Sequence, residues 1–299
     1  MAIYPWENFP LQEFKTSDNA TLFYYKRCAK CKPKGTLLFL QGWSQGPNNW
    51  SPALLTNNYV KKYYNVFILV VRGYNNTLND FNNYIARYSQ DVVEFIKEKK
   101  LAKITTVTHS MGCSVLWYLL GLYGETLFDS YVVVDQPIQV LINPAYSAEK
   151  NLTLGSIFST DALFGFYNGC AVGPTESAVI RTAFEQSCFT ENFLVQQPET
   201  FAKALKDTLN YNYKVVNEVI FNHVCNNYEQ VLIKGLKKPA LLIGGRVSIV
   251  PWQTVVYQKR YYKTATVKIF EANQGGSHSM YLENYSLFNK YLNEFLCSK

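Results

Sequence analysis

Short apolar runs, each closed by a glycine or a polar turn and separated by helix-patterned stretches, set the tightest limit on how this chain folds. Thr36-Leu37-Leu38-Phe39-Leu40 ends in Gln41-Gly42, and Asn65 to Val71, Lys103 to Thr108 and Tyr131 to Val134 repeat the form. Runs of this length fit strands covered on both faces of a parallel sheet. Between them, Tyr84 to Lys99 carries Ile85, Tyr88, Val92, Phe95 and Ile96 at helical spacing with charges opposite. Met111 to Tyr123 is apolar nearly all round and reads as a buried central helix. Such alternation predicts a parallel α/β sheet with right-handed crossovers. Ahead of it, residues 12–27 read as a β-hairpin turning at Asp18-Asn19.

The alternation then stops. From Pro137 to Lys234 there are helical stretches, Phe201 to Leu209 and Tyr213 to Asn222 among them, and a segment near 158–170 rich in Phe, Gly, Tyr and Asn. It resumes with a strand at Pro239 to Gly244, a helix near 252–262, a strand at Thr266 to Phe270 and a last helix from Tyr285 to Leu296. The expected organisation is a core over 1–136, an inserted helical unit over 137–235 and the remainder of the core over 236–299. No internal repeat is visible.

Composition narrows the class of function. Lys and Arg exceed Asp and Glu by 29 to 22, a net +7, but the basic residues are scattered, without the basic stripe and interleaved aromatics of a nucleic-acid surface. No run approaches the roughly 18 apolar residues of a membrane span. The segment from Met1 to Phe14 contains Glu7 and Pro10 and does not read as a secretory signal. Seven cysteines are an odd number, which suits reduced thiols and a cytoplasmic location. Cys28 and Cys31 form a C-x-x-C without a second ligand pair, so they read as a reduced pair at a hairpin tip rather than a zinc site. Sequons such as Asn49-Trp50-Ser51 are expected to be unmodified there.

Three segments carry chemistry. Val107-Thr108-His109-Ser110-Met111-Gly112 follows a strand and opens a helix, the setting of a nucleophilic serine on a sharp turn. The helix start also offers unpaired N–H groups to a developing oxyanion. A helix-capping serine is the plainer reading of the same residues. Gln274-Gly275-Gly276-Ser277-His278 lies between the last strand and the last helix, where a base for such a serine would arrive. Of the three histidines, His109 is in the turn and His223 sits in an apolar helix pattern of the insertion, where a packed or surface role is expected. His278 is thus the base by context and by elimination. Leu40-Gln41-Gly42-Trp43-Ser44 supplies a glycine turn after a strand, and the N–H groups of Trp43 and Met111 form a candidate oxyanion hole.

Together these segments, with Arg72-Gly73, resemble the α/β-hydrolase superfamily, and within it the cofactor-free haloperoxidase-like and epoxide-hydrolase-like serine esterases with a cap. The resemblance implies an α/β-hydrolase fold with a mostly parallel eight-stranded sheet and a helical cap inserted after strand 6. A serine rather than a carboxylate at position 110 separates the chain from epoxide hydrolases and haloalkane dehalogenases. The family's acid lies in a G-x-x-D-x-x-V-P loop, which here reads Gly244-Gly245-Arg246-Val247-Ser248-Ile249-Val250-Pro251. Val247 cannot orient an imidazole. Either the acid has moved, the protein is a dyad or an inactive homologue, or Val247 is an engineered replacement. Asp135, at the end of the run Val132-Val133-Val134, is the candidate for a moved acid, against a plainer turn-capping role. Gln41 and Val70 also depart from the usual His and Asp.

The resulting expectation is a cytoplasmic serine hydrolase with Ser110 as nucleophile, His278 as base and Asp135 as acid, acting on an apolar ester or lactone. Gln41, His109, Phe164, Phe166 and Tyr167 are expected around the substrate, with Phe158 in the cap. No metal or organic cofactor, nucleic acid or membrane span is expected, and the oligomeric state is open. A C–C bond hydrolase, lyase or cyclase using the same pocket, or an inactive ligand-binding homologue, are the alternatives.

Overall fold

The computed structural model describes residues 4–77 and 82–298. Met1 to Ile3, the start of the segment read as carrying no signal, lie outside the described residues. One sheet organises the chain. Its strands are β1 Gln12–Lys15, β2 Thr21–Arg27, β3 Gly35–Leu40, β4 Tyr64–Val70, β5 Ile104–His109, β6 Ser130–Val134, β7 Ala240–Gly245 and β8 Ala265–Phe270. They lie in the order β1-β2-β4-β3-β5-β6-β7-β8. The pairs β1–β2 and β2–β4 are antiparallel, and β3 to β8 run parallel. The central strands are buried along their whole length, which is why they read as unbroken apolar runs.

The helices before the insertion are α1 Ser51–Thr56, α2 Asn58–Tyr63, α3 Ile85–Glu98 and α4 Met111–Tyr123. The cap, between β6 and β7, comprises α5 Ala148–Leu154, α6 Thr160–Val172, α7 Pro174–Ser187, α8 Glu191–Gln196, α9 Pro198–Leu209, α10 Tyr213–Val224 and α11 Glu229–Leu232. After β7 come α12 Trp252–Gln258, α13 Met280–Glu283 and α14 Tyr285–Cys297. Two apolar clusters fill the two faces of the sheet. One is built on α3 and α4, with Phe95, Leu116 and Trp117. The other is built on α1, α13 and α14, with Trp50, Tyr281 and Phe288. Among the described residues, no helix is long and apolar enough to cross a membrane.

The hairpin expected over 12–27 is β1–β2. Its turn is fixed to α3 by the buried Arg72, which pairs with Asp18 at 2.8 Å and Asp91 at 2.7 Å. Cys28 and Cys31 are not at a hairpin tip. They are exposed free thiols in the crossover between β2 and β3. That loop is bonded to the end of α2 through Lys30 N to Lys61 O and Cys31 N to Lys62 O, both at 3.0 Å.

Candidate active site

Three strand ends converge on one spot. Ser110 stands between β5 and α4 with φ 51° and ψ −126°, a conformation that a non-glycine residue holds only when its surroundings impose it. Those surroundings are visible. The Ser110 N–H donates to the Val134 carbonyl of β6 at 3.0 Å, and its own carbonyl accepts from Cys113 N at 2.8 Å. Gly112 lets α4 pack on the end of β3: a Cβ there would come within 2.4 Å of the Leu40 carbonyl oxygen. Gly42 brings the turn after β3 onto the serine, since a Cβ there would lie 3.0 Å from Ser110 Cβ. Thr108, two residues before the serine, donates its hydroxyl to the Val132 carbonyl at 3.1 Å. Ser110 is part-buried.

His278 reaches the same place on the loop between β8 and α13. The loops after β7 and β8 lie together through Val247 N, which donates to the Gly276 carbonyl at 3.0 Å, and Arg246 N, which donates to Phe270 O at 2.9 Å. His278 Nδ1 meets Asp135 Oδ2 at 2.7 Å. Asp135, at the end of β6, has φ 53° and is wholly buried. Its N–H donates to Ile243 O at 2.8 Å, which ties the strained residue to β7. Burial pushes the Asp135 carboxyl well up and the His278 imidazole down to about 3. The Ser248 hydroxyl, donating to Oδ2, and the Gly245 N–H, donating to Oδ1 at 3.3 Å, pull the carboxyl back toward its charged form. Ser248 therefore bonds the carboxylate rather than the histidine. Val247, one residue earlier, is half exposed.

Ser110 and His278 line one small cavity of about 30 Å³, with Trp43, Gln136, Phe158, Phe184, Ile220, His223, Ile249 and others around them. The serine hydroxyl and the His278 ring make no hydrogen bond to each other in this structure. Trp43 and Met111 are buried, the first in the turn after β3 and the second next to Ser110 at the first residue of α4. The Trp43 indole N–H donates to the Val216 carbonyl of α10 at 2.7 Å, joining this turn to the cap.

The residues expected around the substrate lie as follows. Gln41 is buried behind the turn and donates to the Tyr211 hydroxyl at 3.4 Å. His109 lies beneath His278, with ring centroids 4.5 Å apart. Its Nε2 is 2.9 Å from the His278 carbonyl oxygen and its Nδ1 is 2.6 Å from the Gln45 side chain. Burial holds His109 neutral, so it donates from one nitrogen only. Donation to the His278 carbonyl leaves Nδ1 as acceptor, which requires the Gln45 amide to turn its NH₂ toward it. Phe164 is exposed and, like Tyr167, packs on Phe221. Phe166 supports the cavity wall from behind, against Trp43, Phe158 and Phe184. None of these five lines the cavity. His223, expected to be packed or on the surface, is buried and does line it. A helical pattern marks position 223 as inward-facing; it does not say what the helix faces.

Sheet order, strand directions and the insertion after β6 define the α/β-hydrolase fold. Solved structures agree over nearly the full length. A bromoperoxidase from Bacillus anthracis superposes with a TM-score of 0.79 at 16% identity, covering 96% of this chain and 99% of that one. An esterase from Exiguobacterium antarcticum gives 0.80 at 13% identity over 95% and 98%. Est816, described as an N-acyl homoserine lactone degrading enzyme, gives 0.72 at 14% identity over 95% and 100%. No family model matches the chain, and no curated protein matches it in sequence.

Proposed function

We propose that the protein is a serine hydrolase that cleaves carboxylic esters or lactones through an acyl-enzyme on Ser110. The observation that carries this reading is the buried Asp135–His278 hydrogen bond opening onto a cavity that also holds Ser110 on its strained turn. Fold alone does not fix an activity. The fold neighbours do include an esterase and a lactone-degrading enzyme, which agrees with acyl-transfer chemistry.

In this reading His278 Nε2 removes the Ser110 proton as the oxygen attacks the acyl carbon. Asp135 holds the Nδ1–H tautomer and stabilises the imidazolium that forms. The N–H groups of Trp43 and Met111 take the oxyanion, worth about 2.7–4 kcal/mol for a single donor elsewhere. His278 then protonates the leaving alcohol, and water deacylates the serine. The serine–histidine contact forms in the substrate complex, since such bonds often tighten only there. The cap covers the cavity through Phe158, Phe184 of α7 and Ile220 and Val224 of α10, and because there is room for little more than one water-sized group, these apolar side chains give way to admit substrate.

The test is reaction with a fluorophosphonate probe followed by peptide mapping. The expected result is one adduct on Ser110, absent in Ser110→Ala, together with turnover of p-nitrophenyl acetate. A protein that neither labels nor turns over short esters is not a serine hydrolase.

A further inference from the structure

Helix α10 turns Val215, Val216, Val219, Ile220 and Val224 inward. His223 shares that face and is 5% exposed. With Ile220 and Val224 it forms part of the cavity wall that also contains Ser110 and His278. Its Nδ1 is buried and has no hydrogen-bond partner. A buried polar group left unpaired destabilises a fold, and one persisting in a native structure calls for an explanation. An aliphatic residue here would pack α10 onto the core without that loss. The rest of the wall is chiefly apolar, with Trp43, Phe158, Phe184 and Ile249. Its other polar side chain outside Ser110 and His278 is Gln136, whose amide N–H already donates to the Pro137 carbonyl at 3.2 Å. At neutral pH the imidazole is uncharged, because burial and then the neighbouring His278 push its pKa down to about 3. It therefore brings an uncharged ring, with one donor and one acceptor, to the wall of a chiefly apolar pocket.

We infer that His223 is a specificity residue, reading a hydroxyl or keto group carried on the acyl chain a few bonds from the scissile carbonyl. Once the apolar cap side chains have given way, the acyl group is the part of the substrate that stays attached to Ser110, so it is the part His223 meets longest. A purely alkyl acyl group would leave the imidazole unpaired, and a site built to hydrogen-bond a polar group discriminates strongly against the analogue that lacks it. This inference rests on the serine-hydrolase reading above.

The experiment compares p-nitrophenyl 3-hydroxybutyrate with p-nitrophenyl butyrate, which differ by one hydroxyl. The readout is the ratio of their kcat/KM values in wild type, His223→Leu and His223→Asn. Asparagine places an amide near the position of Nδ1, while leucine fills the space without a polar atom. The wild type is expected to favour the hydroxyacyl ester, His223→Leu to lower the ratio about tenfold, and His223→Asn to recover much of it. A change in folding or in the reacting groups moves both substrates together and leaves the ratio alone. Fluorophosphonate labelling of Ser110 in every variant separates the two hypotheses. Wild type that fails to label overturns the hydrolase reading and this inference with it. Labelled enzyme with an unchanged ratio, or with no turnover of the hydroxyacyl ester, overturns this inference alone.

Discussion

Asp135 Oδ2 lies 2.7 Å from His278 Nδ1, across 143 residues of chain and the whole of the cap. Both residues are almost fully buried, so the pair sits where a carboxylate matters most to an imidazole that must become charged. Asp135→Asn keeps the shape and removes the charge. In p-nitrophenyl acetate turnover it is expected to cost about 10⁴-fold in kcat, on the scale known for this substitution in a triad. Unchanged turnover in Asp135→Asn, alongside a dead Ser110→Ala, would mean that some other group orients the histidine.

The position that holds the acid in the related motif makes a sharper test. Val247 is half exposed and does not line the cavity, whereas its neighbour Ser248 bonds Asp135 directly. Adding Val247→Asp to Asp135→Asn should therefore not restore activity, because the new carboxylate starts on the solvent side of the loop. Ser248→Ala should reduce kcat about tenfold, the loss of one hydrogen bond to a charged group. Recovery to within a few-fold of wild type in the double variant would show that the loop can turn a carboxylate at position 247 inward, onto the histidine.

Much of this arrangement is legible in the amino-acid sequence. The core strands are buried on both faces, so they appear as apolar runs whatever their partners. Strand–turn–helix context marks Ser110 and His278, and the end of an apolar run marks Asp135. The orientation of cap residues is not legible in the same way. Around 158–170 the pattern is apolar on too many sides to fix which face of α6 points inward. Phe164 and Tyr167 thus read as substrate-facing; in the structure both rings contact Phe221, outside the cavity lining. His223 is hidden for the opposite reason: its helix is plainly amphipathic, and the pattern says inward without saying onto what. Contacts such as Asp207 with Asn48, at 2.9 Å from α9 to the turn after β3, join segments too distant for spacing to reveal.

His109 supports His278 from below by donating to its carbonyl. His109→Phe removes that bond and leaves the carbonyl to find another partner. Misplacing a base by a fraction of an ångström affects the chemical step more than substrate binding. The expected outcome is a kcat lowered about tenfold or more with KM changed less than about threefold. Urea unfolding should show a loss of about 1–3 kcal/mol for the unpaired carbonyl. Equal changes in KM and stability with kcat untouched would assign His109 to packing alone.

Glu185 on α7 is buried without a partner for Oε1, and burial raises its carboxyl from 4.5 to about 8. Between those two values the folded protein keeps a proton that the unfolded chain has released. Stability contributed by this group is therefore present at low pH and is lost as pH rises through the interval, with a slope of at most about 1.4 kcal/mol per pH unit. Above the upper value the slope ends, because both states are then ionised. Glu185→Gln keeps the shape and cannot ionise, so it should match wild type near the lower end of the interval and become the more stable of the two at the upper end. Urea midpoints measured across the interval and about one pH unit beyond it read the difference directly. Parallel curves for the two proteins would show that the carboxyl does not titrate in that window, and that the fold already holds it ionised.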